Sequence, residues 1–312
     1  GYTAPSVKNS HTAAGSYTLT PSGGSATNYD FNYVGGTLTI RTHSSSSGGS
    51  TTETTTNPDG STLVVETMAD GTVITTETRA DGVKVKTVDE PGRDVTAEVT
   101  IPQNVGGTTV TIPADVDYGM VARDEDTGEL IKLSFPTGDG MLVKLEGSAE
   151  LVLVNNAKDF SDTTGHWAQD AIDFVTARGL FGGISETSFA PDSPMTRAML
   201  MTVLARFDGQ DTEGGAVWYE KGMEWAVANS VSDGSNPNHA VTREQTAAML
   251  WRYAGCPAAE GSLSGFMDAG STSEYAVDAI CWTVSAGIIG GTGTGVLAPQ
   301  DNAARAQVAA IL

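Results

Sequence analysis

The chain has 312 residues, with Lys+Arg 17 against Asp+Glu 38 and a net charge of -21. This balance excludes nucleic acid as a partner, because phosphate neutralisation needs basic clusters that the sequence lacks. No apolar run is long enough to span a bilayer as a helix, so membrane insertion is not expected.

The length allows two or three domains, and the absence of a signal peptide together with the abrupt ends reads as a fragment of a longer protein. Residues 15–40, "GSYTLTPSGGSATNYDFNYVGGTLTI", alternate apolar and polar residues between Gly and Asn turns, the period-2 pattern of strands. This stretch resembles the end of the glycine- and β-rich Ig-like (MBG-type) repeats of large bacterial surface proteins, and residues 1–42 are expected to be one partial repeat. Residues 43–56 are Ser, Thr and Gly with little else, and are expected to be a flexible linker.

Residues 57–92 repeat themselves. Asp59-Gly60, Asp70-Gly71 and Asp81-Gly82 recur every 11 residues, between runs such as "STLVVET" and "TVITTET". Asp-Gly supplies a tight turn and β-branched residues favour strands, so the segment reads as a β-meander stalk. Its aspartates read as turn residues; the nine-residue spacing of calcium-binding acidic repeats is not met, and no metal is expected. Residues 93–157 hold six short strand patterns with Asp, Gly and Pro turns, expected to form a small β-sandwich. Asp124-Glu125 falls at a hairpin tip, "RDEDTGE". Paired carboxylates suit a glycosidase, but no opposing carboxylate is placed by any pattern.

From Phe160 the period becomes helical. "HWAQDAIDFVTARGL" sets Trp167, Ala171, Phe174 and Val175 on one face, and Gly179 stops the helix. A loop ending "SFAPDSPM" leads to a second helix from Arg197 to about Phe207, with Leu200, Val203 and Leu204 as its stripe. The pair recurs. Trp167, Phe174 and Ala177 correspond to Trp218, Trp225 and Ala228 at an offset of 51, and to Tyr275, Trp282 and Ser285 at 108. Arg197 corresponds to Arg305 at 108 and to Arg243 at only 46, so the second copy has a shorter loop. Two-helix units that cannot bury their own faces stack around a shared core. Cys256 and Cys281 make no disulfide framework and read as small apolar residues in or beside that core.

These residues carry a second resemblance. Phe160-Ser161-Asp162, His166-Trp167-Ala168, Gly182-Gly183, Phe189-Ala190-Pro191-Asp192 and Thr196-Arg197-Ala198 resemble the signature of S-layer homology repeats. The chain is thus expected to be all-β and then all-α. Its helical part would hold three such repeats at about 158–210, 211–258 and 262–312. The resemblance implies binding of a secondary cell-wall polysaccharide, often capped by a pyruvylated amino sugar, at the wall of a Gram-positive-type envelope. It implies a secreted, wall-anchored surface protein, with no cofactor and no catalysis.

The residue chemistry agrees with that implication. Thr196 and Thr242 suit helix caps, Thr242 with Gln245 in a capping box, and a helix start offers free N–H groups to an anion. Arg197, Arg243 and Arg305 each add a planar fork for a carboxylate. Trp167 and Trp218 would pack on a sugar ring, although their apolar spacing, like that of Trp282, first suggests core. Asp162 and Asp268 would accept bonds from sugar hydroxyls, beside the Gly182-Gly183 turn. The plainer reading has the arginines pairing with Asp162 or Asp268 to fix the repeat interface.

The copies depart from the pattern. Met199, Gln245 and Gln307 stand where a glutamate usually follows, Ala304 replaces the third capping threonine with Asp301 or Asn302 as substitutes, and the second copy lacks the Phe-x-Asp start. Unequal sites are expected, with one or two competent grooves, and Arg197 is expected to matter more than Arg305 for wall binding. Gly291-x-Gly293-x-Gly295 is not a dinucleotide loop, since a helix precedes it and a proline loop follows. The other reading of the whole is an adhesin or lattice protein whose β segments bind a host ligand or neighbouring chains.

Overall fold

The structure is a computed structural model and describes residues 15–19, 22, 36–42, 49–259, 261–293 and 295–312. The rest of the partial Ig-like repeat and residues 43–48 of the expected linker lie outside the described residues. The chain divides into two compact units, Gly1–Asn155 and Asn156–Leu312.

The described residues of the first unit form strands and turns with no helix. Strands β1 (Gly15–Leu19), β2 (Gly36–Thr42), β3 (Thr51–Thr56), β4 (Thr62–Thr67), β5 (Val73–Thr78), β6 (Lys84–Asp89) and β7 (Thr96–Thr100) run antiparallel in sequence order. Strands β12 (Ala149–Asn155) and β9 (Met120–Asp124) continue the same sheet beyond β7, so the meander and the sandwich share one nine-stranded sheet. The expected linker is corrected at its end: Thr51–Thr56 pairs with both β2 and β4. β-branched threonines suit a pleated ladder even where composition suggests disorder.

The 11-residue repeat is a hairpin repeat of one kind. In each hairpin a three-residue loop closes between Asn57 and Ser61, Met68 and Thr72, and Arg79 and Val83. Only the glycine takes positive φ (Gly60 86°, Gly71 91°, Gly82 87°), which makes a type I turn with a glycine bulge rather than a two-residue turn. The aspartate does different work: Asp59, Asp70 and Asp81 each accept the backbone N–H two residues on. Strands β4 and β5 are half-buried along almost their whole length, the mark of a sheet open on both faces.

Burial starts at β6 and β7, where alternate residues face a second sheet ordered β10 (Ser134–Thr137), β11 (Gly140–Leu145) and β8 (Thr108–Ile112). Val85, Val99, Val110, Met141, Val143 and Leu153 fill the space between. Asp124 holds the hairpin tip by accepting from the Thr127 N–H and hydroxyl.

The second unit holds three helix pairs: α1 (Gln169–Ala177) with α2 (Arg197–Phe207), α3 (Glu220–Ala228) with α4 (Arg243–Tyr253), and α5 (Val277–Ser285) with α6 (Arg305–Ile311). They enclose one core, including Ile172, Leu200, Leu204, Ala247, Ile280 and Val308. Full burial of each large aliphatic contributes about 2 kcal/mol. α1 starts after Trp167, so its buried face is Ile172 and Val175 rather than one containing the tryptophan. Cys256 is exposed, not core, and Cys281 is half-buried.

The pairs close into a ring. Met195 donates its N–H to Ala303 O, Ala303 to Val241 O, and Val241 back to Met195 O, at 2.8, 2.9 and 2.8 Å. These residues just precede α6, α4 and α2, so all three second helices start from one point.

Candidate functional site

Each second helix begins against the next repeat. Arg197 and Ala198 donate their N–H groups to the carbonyls of His239 and Pro237. Arg243 and Glu244 donate to Asp301 and Pro299, and Arg305 and Ala306 to Ser193 and Pro191. The helix starts are therefore not the open anion sites expected; packing has used their free donors. The caps finish the task. Thr196 Oγ1 accepts from Met199 N–H at 3.2 Å, and Thr242 with Gln245 forms the expected capping box. Ala304 has no oxygen to offer, and neither the Asp301 nor the Asn302 side chain replaces it: Gln307 Oε1 accepts the Ala304 N–H at 3.1 Å.

The arginine side chains follow the same rotation. Arg305 Nε reaches Phe189 O at 2.8 Å and its Nη2 reaches Gly182 O at 2.7 Å. Arg243 does the same to Leu297 O at 3.0 Å and Gly290 O at 2.6 Å. Arg197 Nε reaches Ser235 O at 2.9 Å, but its Nη2 meets Ser232 Oγ at 3.0 Å and Asp233 Oδ1 at 2.8 Å. Arg243 and Arg305 are only 7% and 4% exposed. Burial lowers the pKa of both, against the pull of Asp301 and Asp268 on Arg243 and of Asp162 on Arg305. The plainer reading is thus half right: the arginines fix the interface, Arg243 and Arg305 through backbone carbonyls and Arg197 also through Ser232 and Asp233, none of them by a hydrogen bond to Asp162 or Asp268.

Those aspartates are engaged elsewhere. Asp162 accepts from the Ser188 hydroxyl and the N–H groups of Phe189 and Ala190, at 2.6, 2.9 and 2.8 Å. Asp268 accepts from Leu297 and Ala298 N–H at 2.8 and 2.7 Å. Desolvation pushes the Asp162 pKa up, yet these hydrogen bonds outweigh it and hold the carboxyl at about 2. Each aspartate braces the loop whose carbonyl receives the arginine, at Ala190 and Ala298, which both take positive φ. They position the site, where sequence reading had offered them to a ligand.

Among the described residues, three corresponding grooves result. Groove 1, of about 260 Å³, is lined by Gly182, Gly183, Met199, Arg206, Arg305 and Trp218 among others. Groove 2, about 410 Å³, has Arg197, Asp233, Gln245, Arg252 and Tyr275. Groove 3, about 300 Å³, has Trp167, Arg243, Gly290, Gly291, Gln307 and Ile311. Each takes its turn and helix from one repeat, its arginine from a second and its aromatic from the third.

The aromatics stand out from the core. Trp167 is 67% exposed, Trp218 54% and Tyr275 50%, which corrects the core reading of the two tryptophans. Trp282, by contrast, packs against the core. Gly183 must be glycine, because an added Cβ would clash with the carbonyls of Ser185 and Ser188. A Cβ on Gly182 would meet nothing within 4 Å, so its absence keeps the groove open. Sequence reading missed Tyr275 and Asp233 as groove residues. Both were findable as the counterparts of Trp167 at 108 and of Gly182 at 51.

Comparison with known proteins gives two family matches, of which the S-layer homology match falls on the first and third helix pairs. Residues 159–198 and 265–309 match the S-layer homology domain, and residues 3–39 match the MBG domain (YGX type). An amylopullulanase of Thermoanaerobacterium thermosulfurigenes is 30% identical over 178 residues, 50% of this chain and 9% of that protein. A surface-layer 125 kDa protein of Lysinibacillus sphaericus is 32% identical over 104 residues, 28% of this chain and 9% of its own. A cellulosome-anchoring protein of Acetivibrio thermocellus is 31% identical over 115 residues, 30% of this chain and 25% of its own. The matched region spans less than a fifth of the length of the first such relatives.

Proposed function

We propose that this chain, whose C-terminal unit carries S-layer homology domains, anchors a surface protein by holding an anionic secondary cell-wall polysaccharide in its grooves. The chain is a cell-surface, wall-associated one, and none of its described helices is long and apolar enough to cross a membrane. Anchoring is also what the name of the cellulosome-anchoring relative states. The enzymes among the relatives share only a small part of their length with it, and we read the shared part as an anchor rather than a catalyst.

The observation that carries this reading is the threefold recurrence of an arginine and an exposed aromatic across one groove. An exposed tryptophan offers a flat apolar face to the C–H face of a sugar ring, and desolvation of that face favours the contact. A guanidinium at the groove wall attracts a carboxylate such as that of a pyruvate ketal. Several weak sites on one polymer add up through effective concentration, which suits an anchor.

The test is co-sedimentation of the full chain with cell-wall sacculi, before and after acid stripping of the secondary polymer. Binding that disappears on stripping supports the reading. Equal binding to stripped sacculi rejects it.

A further inference from the structure

The three grooves are alike in backbone and unlike in charge. At the turn where groove 1 has Gly182 and groove 3 has Gly290, groove 2 has Asp233. The arginine Nη2 that meets a glycine carbonyl in the first two cases meets this carboxylate at 2.8 Å in the third. Among the described residues, Arg197 alone of the three arginines that begin α2, α4 and α6 has a carboxylate within 4.0 Å; Arg206, which also lines groove 1, has Glu213 at 3.5 Å.

We propose that Asp233 occupies groove 2 with the chain's own carboxylate, so that only grooves 1 and 3 accept the acidic group of the glycan. This rests on the wall-glycan reading above and adds the division of labour among its sites. A carboxylate ligand entering groove 2 would have to displace Asp233 from Arg197 and would stand beside its like charge. Both effects weaken binding. Arg252 also lines the groove, with one long 3.5 Å bond to Val231 O, so groove 2 keeps a cation. What it lacks is an arginine free of a direct carboxylate partner at the position of Arg305 and Arg243.

Asp233 is held in place independently of the arginine. Its Oδ1 accepts the Ser235 N–H at 3.0 Å and the Ser235 hydroxyl at 2.9 Å. The carboxylate is therefore pre-set on the turn. An asparagine would keep an Oδ1 for these bonds while removing the charge, which separates charge from loop structure.

The experiment is equilibrium dialysis of the full 312-residue chain against saturating pyruvate-ketal methyl glycosides of N-acetylmannosamine and N-acetylglucosamine, with the unketalised sugars as controls. The wild type should hold two ketals per chain. Asp233→Asn and Asp233→Gly should each hold three, and Gly182→Asp, which copies the groove 2 arrangement into groove 1, should hold one. All variants should keep wild-type circular dichroism and unfolding midpoint. A wild type that holds three, or folded Asp233 variants that stay at two, overturns the proposal while leaving the wall-glycan reading intact. Binding of the plain sugar and the ketal to equal extents overturns the role of charge. No binding of any probe by a wild type that also ignores intact sacculi removes the wall-glycan reading and this proposal with it.

Discussion

Arg305 donates to the carbonyl of Gly182 at 2.7 Å across 123 residues of sequence, tying the last helix to the first turn of the helical unit. The same bond from Arg243 to Gly290 spans 47 residues. The long connection is what closes a row of repeats into a ring. Arg305→Ala should leave the Gly182 and Phe189 carbonyls without their charged donor and cost about 3 kcal/mol of stability. Arg197→Ala loses the bonds to the Ser235 carbonyl and Ser232 hydroxyl and the ion pair to the exposed Asp233, all partners nearer to water, and should cost less, about 1–2 kcal/mol. Urea unfolding of the two variants checks the order.

Gly182 and Gly183 should part company on substitution. Gly182→Ala meets open space and should leave the midpoint of unfolding within experimental error. Gly183→Ala drives a methyl into the Ser185 and Ser188 carbonyls and the Phe160 ring, and should cost about 2 kcal/mol. Thermal melts of both variants are the check.

Asp162 should make the helical unit sensitive to acid. Its folded pKa of about 2 lies below the ordinary 3.8, so its contribution is present above about pH 4 and is lost as the pH falls through 2. Asp162→Asn should flatten the stability profile in that window and lower stability at neutral pH. Unfolding free energies measured from pH 2 to 7 would show it.

Glu244 should govern the ionisation of Tyr275. It is 3% exposed and accepts from Ser273 N–H, the Ser273 hydroxyl and Tyr275 Oη at 2.9, 2.8 and 3.0 Å. Burial, and then the Glu244 carboxylate, push Tyr275 up to about 12. Glu244→Gln should bring one tyrosine back toward 10, read as the phenolate absorbance in an alkaline titration. An unchanged profile would show that the Glu244 charge plays no part.

Much of this was legible in the sequence. The 11-residue Asp-Gly spacing marks the hairpins, and the offsets of 51, 108 and 46 mark the helix pairs and align their arginines. The partners of those arginines were not legible, because backbone carbonyls leave no mark in a sequence and the repeats exchange contacts cyclically. Trp167 looked like core because it shares the spacing of buried residues, but it sits before the first turn of α1 and projects outward. Thr51–Thr56 looked like linker because its composition matches disorder, and only pairing on both sides makes it a strand.

The most direct measurement is a titration of polysaccharide released from the sacculi into the wild-type chain and into a Trp167→Ala, Trp218→Ala double variant. Both side chains are more than half exposed, so the variant should melt with the wild type. Saturable binding by the wild type, weakened at least about 30-fold in the variant, corresponds to about 2 kcal/mol placed in grooves 1 and 3. Equal affinity of the two proteins for the polysaccharide would contradict the claim that these grooves hold the wall.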